Sequence, residues 1–361
     1  MFNPSRLTAA RKRHGWTLTK LAEETGISTK SLSTYENGHQ EPTDQIVGLL
    51  AQKLGLAPAF LLSEEMEEIP IQAVSFRALS KMTARTRDRG LASGRIAILI
   101  NDWIESRFRL PKSDLPTLSS RSPEGAAEEL RVRWGLGIGP VGNLVHLLES
   151  HGVRVYTLAH NNQDLDAFCL NWHGTPFVFL GCGKSPERSR FDAAHELGHL
   201  ILHGEEKEPQ GASAELEANR FAAAFLMPSS GVFAQNLRNA TADRILAAKK
   251  RWGVAAMALA HRANELGLMT EWCYRAACVD LSRMGYRRGE PGGLAVHESS
   301  QLLTKVLQQL RGSGSGIYEI AQDLGLAVDE VQSYLFGLTP TLLDGGGRSS
   351  STERPRLTLV Q

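Results

Sequence analysis

The sequence predicts an α+β fold in which an all-α N-terminal region precedes a region that combines helices with a small sheet. Two observations support this prediction. Residues 4–62 carry short helical patterns that are interrupted by glycines. Three β-type runs, at 153–158, 167–171 and 176–180, then follow one another between turn residues, and helical patterns lie on both sides of them.

Composition argues against a disulfide-rich secreted protein and against a membrane-spanning protein, but it does not select one function. The formal net charge of +1 gives no global argument for nucleic-acid binding, but residues 1–40 hold six Lys or Arg against three acids. The four cysteines form no C-x-x-C pair and no signal peptide is recognisable, so we expect no disulfides and a cytoplasmic protein. Apolar stretches such as Ile96–Ile100 are too short to cross a bilayer.

Changes in composition and helical pattern divide the chain into five predicted segments. They are a helix-turn-helix domain (1–62), a helical connector (63–122), a domain with the sheet and a histidine-bearing helix (123–285), a C-terminal helical segment (286–343) and a Gly/Ser-rich disordered tail (344–361).

The N-terminal segment is predicted to contain five short helices. The second covers Thr17–Glu24 and ends at Gly26, a residue that readily adopts the left-handed conformation of a helix end. Ser28 is a suitable N-cap for a third helix that runs to about Tyr35. The fourth and fifth are predicted at 46–54 and 58–62.

Later helices are predicted from apolar residues spaced three or four apart. A mostly helical stretch at 76–109 is followed by a proline-containing loop at 110–122. Residues 317–335 also have helix-turn-helix spacing, which we interpret as a small packing or dimer unit. The other helices are predicted at 124–134, 141–151, 186–203, 213–227 and onwards to about residue 284.

The third helix of the N-terminal segment carries side chains that suit DNA. Small hydroxyl donors and a lysine can approach base edges and phosphates closely in the major groove. The same spacing fits a small helical domain used for dimerisation or protein docking. The candidates for DNA contact are Ser28, Thr29, Lys30 and Ser33.

A set of short motifs runs through residues 6–55: Leu21-Ala22, Gly26-Ile27-Ser28, Ser33-x-Tyr35-Glu36-x-Gly38 and Pro42. These motifs resemble the Xre-type, or lambda-repressor-like, helix-turn-helix family. The resemblance implies that 28–35 is the recognition helix and that the partner is a double-stranded DNA operator. Leu18 stands where the family often has a glutamine that braces a phosphate. A homodimer is expected, because one such head reads only a half-site.

The run His195-Glu196-Leu197-Gly198-His199 is an HExxH motif inside a helical pattern. Residues four apart lie on one face of a helix, so His195 and His199 can occupy adjacent corners of a zinc tetrahedron. Glu196 would reach a water in the open position, accept its proton and pass the proton to the leaving amine, while the metal polarises the scissile carbonyl. The alternative is a chance match on an amphipathic helix.

A third ligand is expected on the following helix. His203 falls about 80° around the helix from His195, with no glycine to turn the chain, so we interpret it as a helix-end residue. Glu215 and Glu217 remain, and we favour Glu215 because Asn219, one turn later, would place a hydrogen-bonding group on the same face. Zn²⁺ suits two imidazoles and a carboxylate, although Mn²⁺ or Fe²⁺ would also fit these residue types.

The apolar run Pro176–Leu180 precedes the HExxH helix. We expect this strand to pair with an extended substrate backbone, as strands do in zinc peptidases.

Three stretches within roughly 120–230 resemble the ImmA/IrrE metallopeptidase family: Arg190-Phe191-Asp192-x-Ala194-His195-Glu196-Leu197-Gly198-His199, Glu215-x-Glu217-Ala218-Asn219-x-Phe221-Ala222 and Leu226-Met227-Pro228. The resemblance implies a zincin-like domain with a small sheet, a zinc cofactor and a protein substrate. With the Xre-type head, it implies a DNA-binding regulator whose endopeptidase cleaves a repressor or antitoxin-type protein, or itself. The alternative is a transcription factor whose zincin-like domain is a non-catalytic sensor or dimerisation scaffold, which would have no need of Glu196.

Overall fold

The computed structural model describes residues 1–71, 74–76, 83–158, 167–203, 211–312, 314–335 and 338. The predicted disordered tail, 344–361, lies outside the described residues, as does the end of the predicted C-terminal helical segment. Among the described residues, no helix combines the length and the apolarity needed to cross a bilayer.

Helices at the N-terminus form the predicted helix-turn-helix arrangement. Gly26 adopts φ 73° and ends the second helix, and the Ser28 side chain accepts a hydrogen bond from the Ser31 amide at the start of the third. The turn and the N-cap predicted at these two residues are confirmed. The five helices are α1 (Pro4–Arg13), α2 (Leu18–Thr25), α3 (Thr29–Glu36), α4 (Asp44–Lys53) and α5 (Pro58–Leu62).

Four strands form one mixed sheet in the order β1-β3-β4-β2. β2 runs parallel to β4, whereas β3 is antiparallel to both β4 and β1. The three strands predicted from the sequence are confirmed. The strands are β1 (Val74–Phe76), β2 (Arg154–Thr157), β3 (Ala167–Trp172) and β4 (Thr175–Leu180).

The connector differs from its prediction. Phe76, which was expected in a helix, belongs to β1. The long helix α6 (Ala84–Glu105) begins later in the chain. A strand of three residues is too short to show a period of two, so only its pairing with β3 reveals it. The prediction was therefore wrong at Phe76, while the helix itself is confirmed.

Helices cover both faces of the sheet. Gly94 of α6 lies against one face, where an added Cβ would come within 2.9 Å of Phe168 Cζ, and the Tyr156 hydroxyl donates to Asn101 Oδ1 at 3.1 Å. The HExxH helix α9 (Pro186–Leu202) packs on β3 and β4 from the other face. Because β3 and β4 lie directly against α9, the sheet sets the position of the histidine-bearing helix.

The remaining helices surround α9 and extend to the C-terminal region. They are α7 (Pro123–Arg133), α8 (Leu144–Ser150), α10 (Ala212–Leu226), α11 (Ser229–Phe233), α12 (Ala242–Trp252), α13 (Ala256–Glu265), α14 (Glu271–Arg283), α15 (Gln301–Gly312), α16 (Ile317–Leu324) and α17 (Val328–Leu335).

The C-terminal helices contact both the N-terminal helices and the sheet. Thr157 Oγ1 of β2 donates to the carbonyl of Ser333 at 2.8 Å. Glu330, on the same helix α17, forms a buried ion pair with Arg13 of α1. The helix-turn-helix spacing at 317–335 is therefore used for internal packing, as interpreted from the sequence.

The helices α9 and α10 approach each other closely at Gly198. A Cβ at this position would lie 3.0 Å from Phe221 Cδ1 and 3.2 Å from both the Cα and the carbonyl oxygen of Ala218. Backbone atoms cannot move aside as the end of a flexible side chain can. A side chain at 198 would therefore push apart the two helices that carry the predicted ligands.

We expect Gly198→Ala to lower the free energy of unfolding by about 1–3 kcal/mol, because the added methyl overpacks this helix contact. Gly48→Ala is the matched control: Gly48 is also helical, but nothing lies within 4 Å of its Cβ position. We expect that change to stabilise the protein by about 0.5–1 kcal/mol through helix propensity. Urea denaturation of both variants measures the difference, and stabilisation by both would contradict the tight contact.

Candidate functional site

Two histidines of α9 and one glutamate of α10 bring three ligand atoms together. His195 Nε2 and His199 Nε2 lie 3.1 Å apart. Glu215 Oε2 is 3.3 Å from His195 Nε2, and Glu215 Oε1 is 3.2 Å from His199 Nε2. Among the described residues, His195, His199 and Glu215 form a cluster whose ligand atoms are close enough to hold one metal ion.

The separation of the two Nε2 atoms, and the distance from each of them to its nearer Glu215 oxygen, match the edges of a tetrahedral zinc site. Ligands at about 2.0–2.1 Å from a zinc ion lie about 3.3–3.4 Å from one another along the tetrahedron edges. Both histidines are buried, and the side chain of Glu215 is 24% exposed. One side of the cluster is therefore closed by protein and the glutamate side is partly open, as a site with a position for substrate requires.

Glu217, the alternative third ligand, has a different partner. Its Oε2 lies 3.2 Å from His203 Nε2, and His203 Nδ1 lies 3.0 Å from His199 Nδ1. If His199 uses Nε2 for a metal, its Nδ1–H donates to His203, whose Nε2–H donates to Glu217. The geometry therefore assigns Glu215 to the cluster and Glu217 to the end of a hydrogen-bond chain behind it.

Asn219 supports the other histidine. Its Oδ1 lies 3.1 Å from His195 Nδ1, and its Nδ2 donates to the Glu215 carbonyl at 2.8 Å. The amide oxygen of Asn219 accepts a hydrogen bond from His195 Nδ1–H. His195 Nε2 therefore carries the lone pair that can bind a metal. The hydrogen-bonding position expected at 219 is occupied as predicted.

The role of His203 was missed in the sequence. The residue is the C-cap of α9, as predicted, but it also orients His199. The signal was its spacing of four residues from His199, which places both rings along one side of the helix.

The cluster favours protonation states that suit metal binding. Burial opposes ionisation of Glu215, but hydrogen bonds from His195 and His199 outweigh it and lower the pKa of this carboxyl to about 2. Burial also lowers the pKa of His199 below its usual value of 6.5. An ionised carboxylate therefore faces imidazole groups, of which His199 favours its neutral, metal-binding form.

Glu196 is fully buried beside the cluster and has a neighbour that the sequence did not predict. Burial raises the pKa of the Cys169 thiol well above its ordinary value. The negative charge of the nearby Glu196 carboxylate raises it further. Cys169 lies on β3, far from Glu196 in sequence, so no local pattern could have identified this contact. The thiol stays protonated and faces the carboxylate predicted to act as the base.

The strand predicted to bind substrate is not available for pairing. β4, which contains Pro176–Leu180, lies between β3 and β2 and pairs with both. A central strand has no free backbone groups for another chain. The prediction for this strand was wrong because the order of strands in the sheet cannot be derived from the order along the chain.

The candidate DNA contacts lie at the N-terminal end of α3. Thr29 and Lys30 are exposed, and so is Ser28, whose hydroxyl accepts from the Ser31 amide at 3.0 Å as a helix cap. Ser33 is half-buried, and Asn37 Nδ2 lies 3.3 Å from its hydroxyl. Among these four residues, Thr29 and Lys30 are the most accessible.

Three of the six Lys and Arg residues in 1–40 are used inside the protein. Arg11 forms a two-point ion pair with Glu36, with nitrogen–oxygen distances of 2.6 and 2.7 Å. Arg6 donates to the Glu64 carbonyl at 2.6 Å, and Arg13 is buried. Lys30 forms no ion pair with any described residue. The basic excess is therefore a weaker indication of DNA binding than the composition suggested.

Comparison with protein-family models gives two matches. Residues 148–264 match the IrrE N-terminal-like domain, a peptidase family, and residues 7–61 match a helix-turn-helix family. No curated protein matches the chain significantly. The chain therefore combines segments similar to these two families, and the resemblances inferred from the sequence are confirmed. Both matches lie within the predicted segments 1–62 and 123–285, whose boundaries stay a prediction.

The metal cluster can be tested with the two glutamates of α10. We expect Glu215→Ala to abolish stoichiometric metal binding because it removes a ligand. Glu217→Ala should keep the metal with an affinity about 10–100-fold weaker, because it removes only the support of His203. Elemental analysis and competition with a chelator measure these effects. If Glu217→Ala lost the metal and Glu215→Ala kept it, Glu217 would be the metal ligand instead of Glu215.

DNA binding can be tested at Lys30. If Lys30 contacts a phosphate, Lys30→Ala should weaken binding to operator DNA and reduce the slope of log affinity against log salt by about 0.9. Lys53→Ala is the matched control, since Lys53 is an exposed lysine of α4, outside the α2–α3 pair. An equal loss from both variants, measured by titration at several salt concentrations, would argue against a specific contact by α3.

Proposed function

We propose that this chain, in which a helix-turn-helix segment precedes an IrrE N-terminal-like segment, is a DNA-binding transcriptional regulator with a zinc-dependent endopeptidase. The proposed substrate is a repressor or antitoxin-type protein, or the chain itself. One observation carries the proposal. The Nε2 atoms of His195 and His199 lie 3.1 Å apart and each is within 3.3 Å of one Glu215 carboxylate oxygen, while the next residue, Glu196, carries a fully buried carboxylate.

The residues divide the work of peptide hydrolysis among them. His195, His199 and Glu215 would hold Zn²⁺, which when bound polarises a carbonyl and lowers the pKa of water. Glu196 accepts a proton from the attacking water on a carboxylate oxygen and returns it to the leaving amine. Because Glu196 is fully buried, little solvent reorganises around it as its charge changes.

Two supporting side chains keep the ligands ready. Asn219 and His203 each bond the Nδ1 atom of a ligand histidine, so both rings are oriented before a metal arrives. This preorganisation supports a fixed catalytic geometry.

The DNA-binding part of the proposal rests on α2 and α3. These helices, joined through Gly26, match the helix-turn-helix family. Ser28, Thr29, Lys30 and Ser33 lie at the end of α3 that such domains place in the major groove. We infer a homodimer on DNA, because one head of this size reads a single half-site.

Glu196→Gln tests the catalytic proposal. The amide keeps nearly the same shape but cannot accept the proton, so we expect metal binding within about twofold of wild type and at least a 100-fold loss of peptide hydrolysis. The measurement combines metal content with cleavage of candidate repressor proteins from the same genome.

The regulatory phenotype of the same variant separates the proposal from its rival. If Glu196→Gln leaves both DNA binding and regulation unchanged, catalysis is dispensable and the zincin-like domain acts as a scaffold or sensor. Loss of regulation with DNA binding intact would support the endopeptidase.

A further inference from the structure

The two edges of the sheet are covered in different ways. The free edge of β2 faces α17, whose Ser333 carbonyl accepts a hydrogen bond from Thr157. The opposite edge of the three strands β3, β4 and β2 belongs to β3. There β1 from the connector pairs with β3 as the fourth and outermost strand. One edge is thus closed by a packed helix, and the other by a strand of three residues.

The edge covered by β1 lies next to the candidate catalytic residues. The register places Ser75 directly opposite Cys169, between the pairs Val74↔Leu170 and Phe76↔Phe168. Cys169 lies on β3, the strand against which the HExxH helix α9 packs, and its thiol is close enough to Glu196 to feel the charge of that carboxylate. An extended backbone that pairs with β3 at this register therefore runs beside the residue that contacts the general base.

The connector is held close to this edge through two contacts of Glu67, which precedes β1. Arg95 of α6 donates to the Glu67 carbonyl at 2.9 Å, and the Glu67 side chain lies 3.0 Å from His173 Nε2 in the turn between β3 and β4. A tethered segment has an effective concentration in the millimolar range. The pairing of β1 with β3 spans only three residues, with a net gain of about 1 kcal/mol per hydrogen bond. It is therefore weak enough for another strand to replace β1.

We propose that β1 is an internal occupant of the peptide-binding edge of β3, and that a substrate must displace it. This inference rests on the proposed endopeptidase function and names the form of its substrate. The substrate segment is extended, pairs antiparallel with β3 and places a small apolar side chain where Val74 stands. Residues around 74–76 of this chain are consequently a template for the segment that the site binds.

A peptide with the sequence of residues 70–80 serves as the probe. Its binding to the full-length, zinc-loaded protein is measured by fluorescence anisotropy, in a Glu196→Gln background that prevents turnover. Val74→Asp places a charge where the side chain is 0% exposed, so it should release β1 from the sheet. Ile71→Asp adds the same charge to the same connector at a residue that is 38% exposed.

We expect Val74→Asp to bind the peptide at least about 10-fold more tightly than the Ile71→Asp control, because the tethered competitor is gone. Equal affinities, with equal metal content as the sign of an intact fold, would overturn the proposal. The assay requires no hydrolysis, so a failure of the endopeptidase function would leave its result unaffected.

A locked variant provides the reverse test if Val74→Asp fails to fold. Residues directly opposite in an antiparallel pair have Cα atoms about 4.5–5.5 Å apart, within the range of a disulfide. Ser75→Cys, oxidised with glutathione disulfide against Cys169, should abolish peptide binding, and dithiothreitol should restore it. Peptide binding that persists in the oxidised, mass-verified variant would contradict the proposal.

Discussion

The contact between α9 and α10 at Gly198 is the constraint on which the site depends. His195 and His199 come from one helix and Glu215 from the other, so the three ligand atoms meet only if the helix backbones approach closely. With no side chain at 198, the backbone of Ala218 comes within contact distance. The glycine inside the HExxH motif is thus a packing requirement of the site, in addition to the two histidines and the glutamate.

The helix α10 contributes more to the site than one ligand. Glu215 faces the two histidines, Asn219 fixes the ring of His195, and Glu217 closes the chain that orients His199. Burial would by itself oppose ionisation of Glu215, yet its hydrogen bonds to the histidines lower its pKa. The ionised carboxylate of Glu215 therefore places one negative charge beside the two histidines, where a metal cation would balance it.

Contacts from two directions join the N-terminal helices to the region that contains the sheet. Arg13 pairs with Glu330 of α17, a helix that also bonds the edge strand β2. On the other side, the Met66 amide donates to Ser5 Oγ at 2.9 Å, and the same connector continues into β1. Within the described residues, the N-terminal helices thus contact the helix that covers one edge of the sheet and the connector segment that precedes β1.

Local sequence patterns were sufficient to predict the helices, the turn at Gly26, the cap at Ser28, three of the four strands and the motif that carries His195 and His199. Each of these depends on spacing within a few residues, where helix and strand periodicities act directly. The tertiary packing brings Glu215, and not Glu217, beside the two histidines, places Cys169 close to Glu196 and makes β1, not β4, an outer strand of the sheet. These outcomes depend on which distant segments pack together, because side-chain contacts across helices and the order of strands in a sheet are set by burial of the common core.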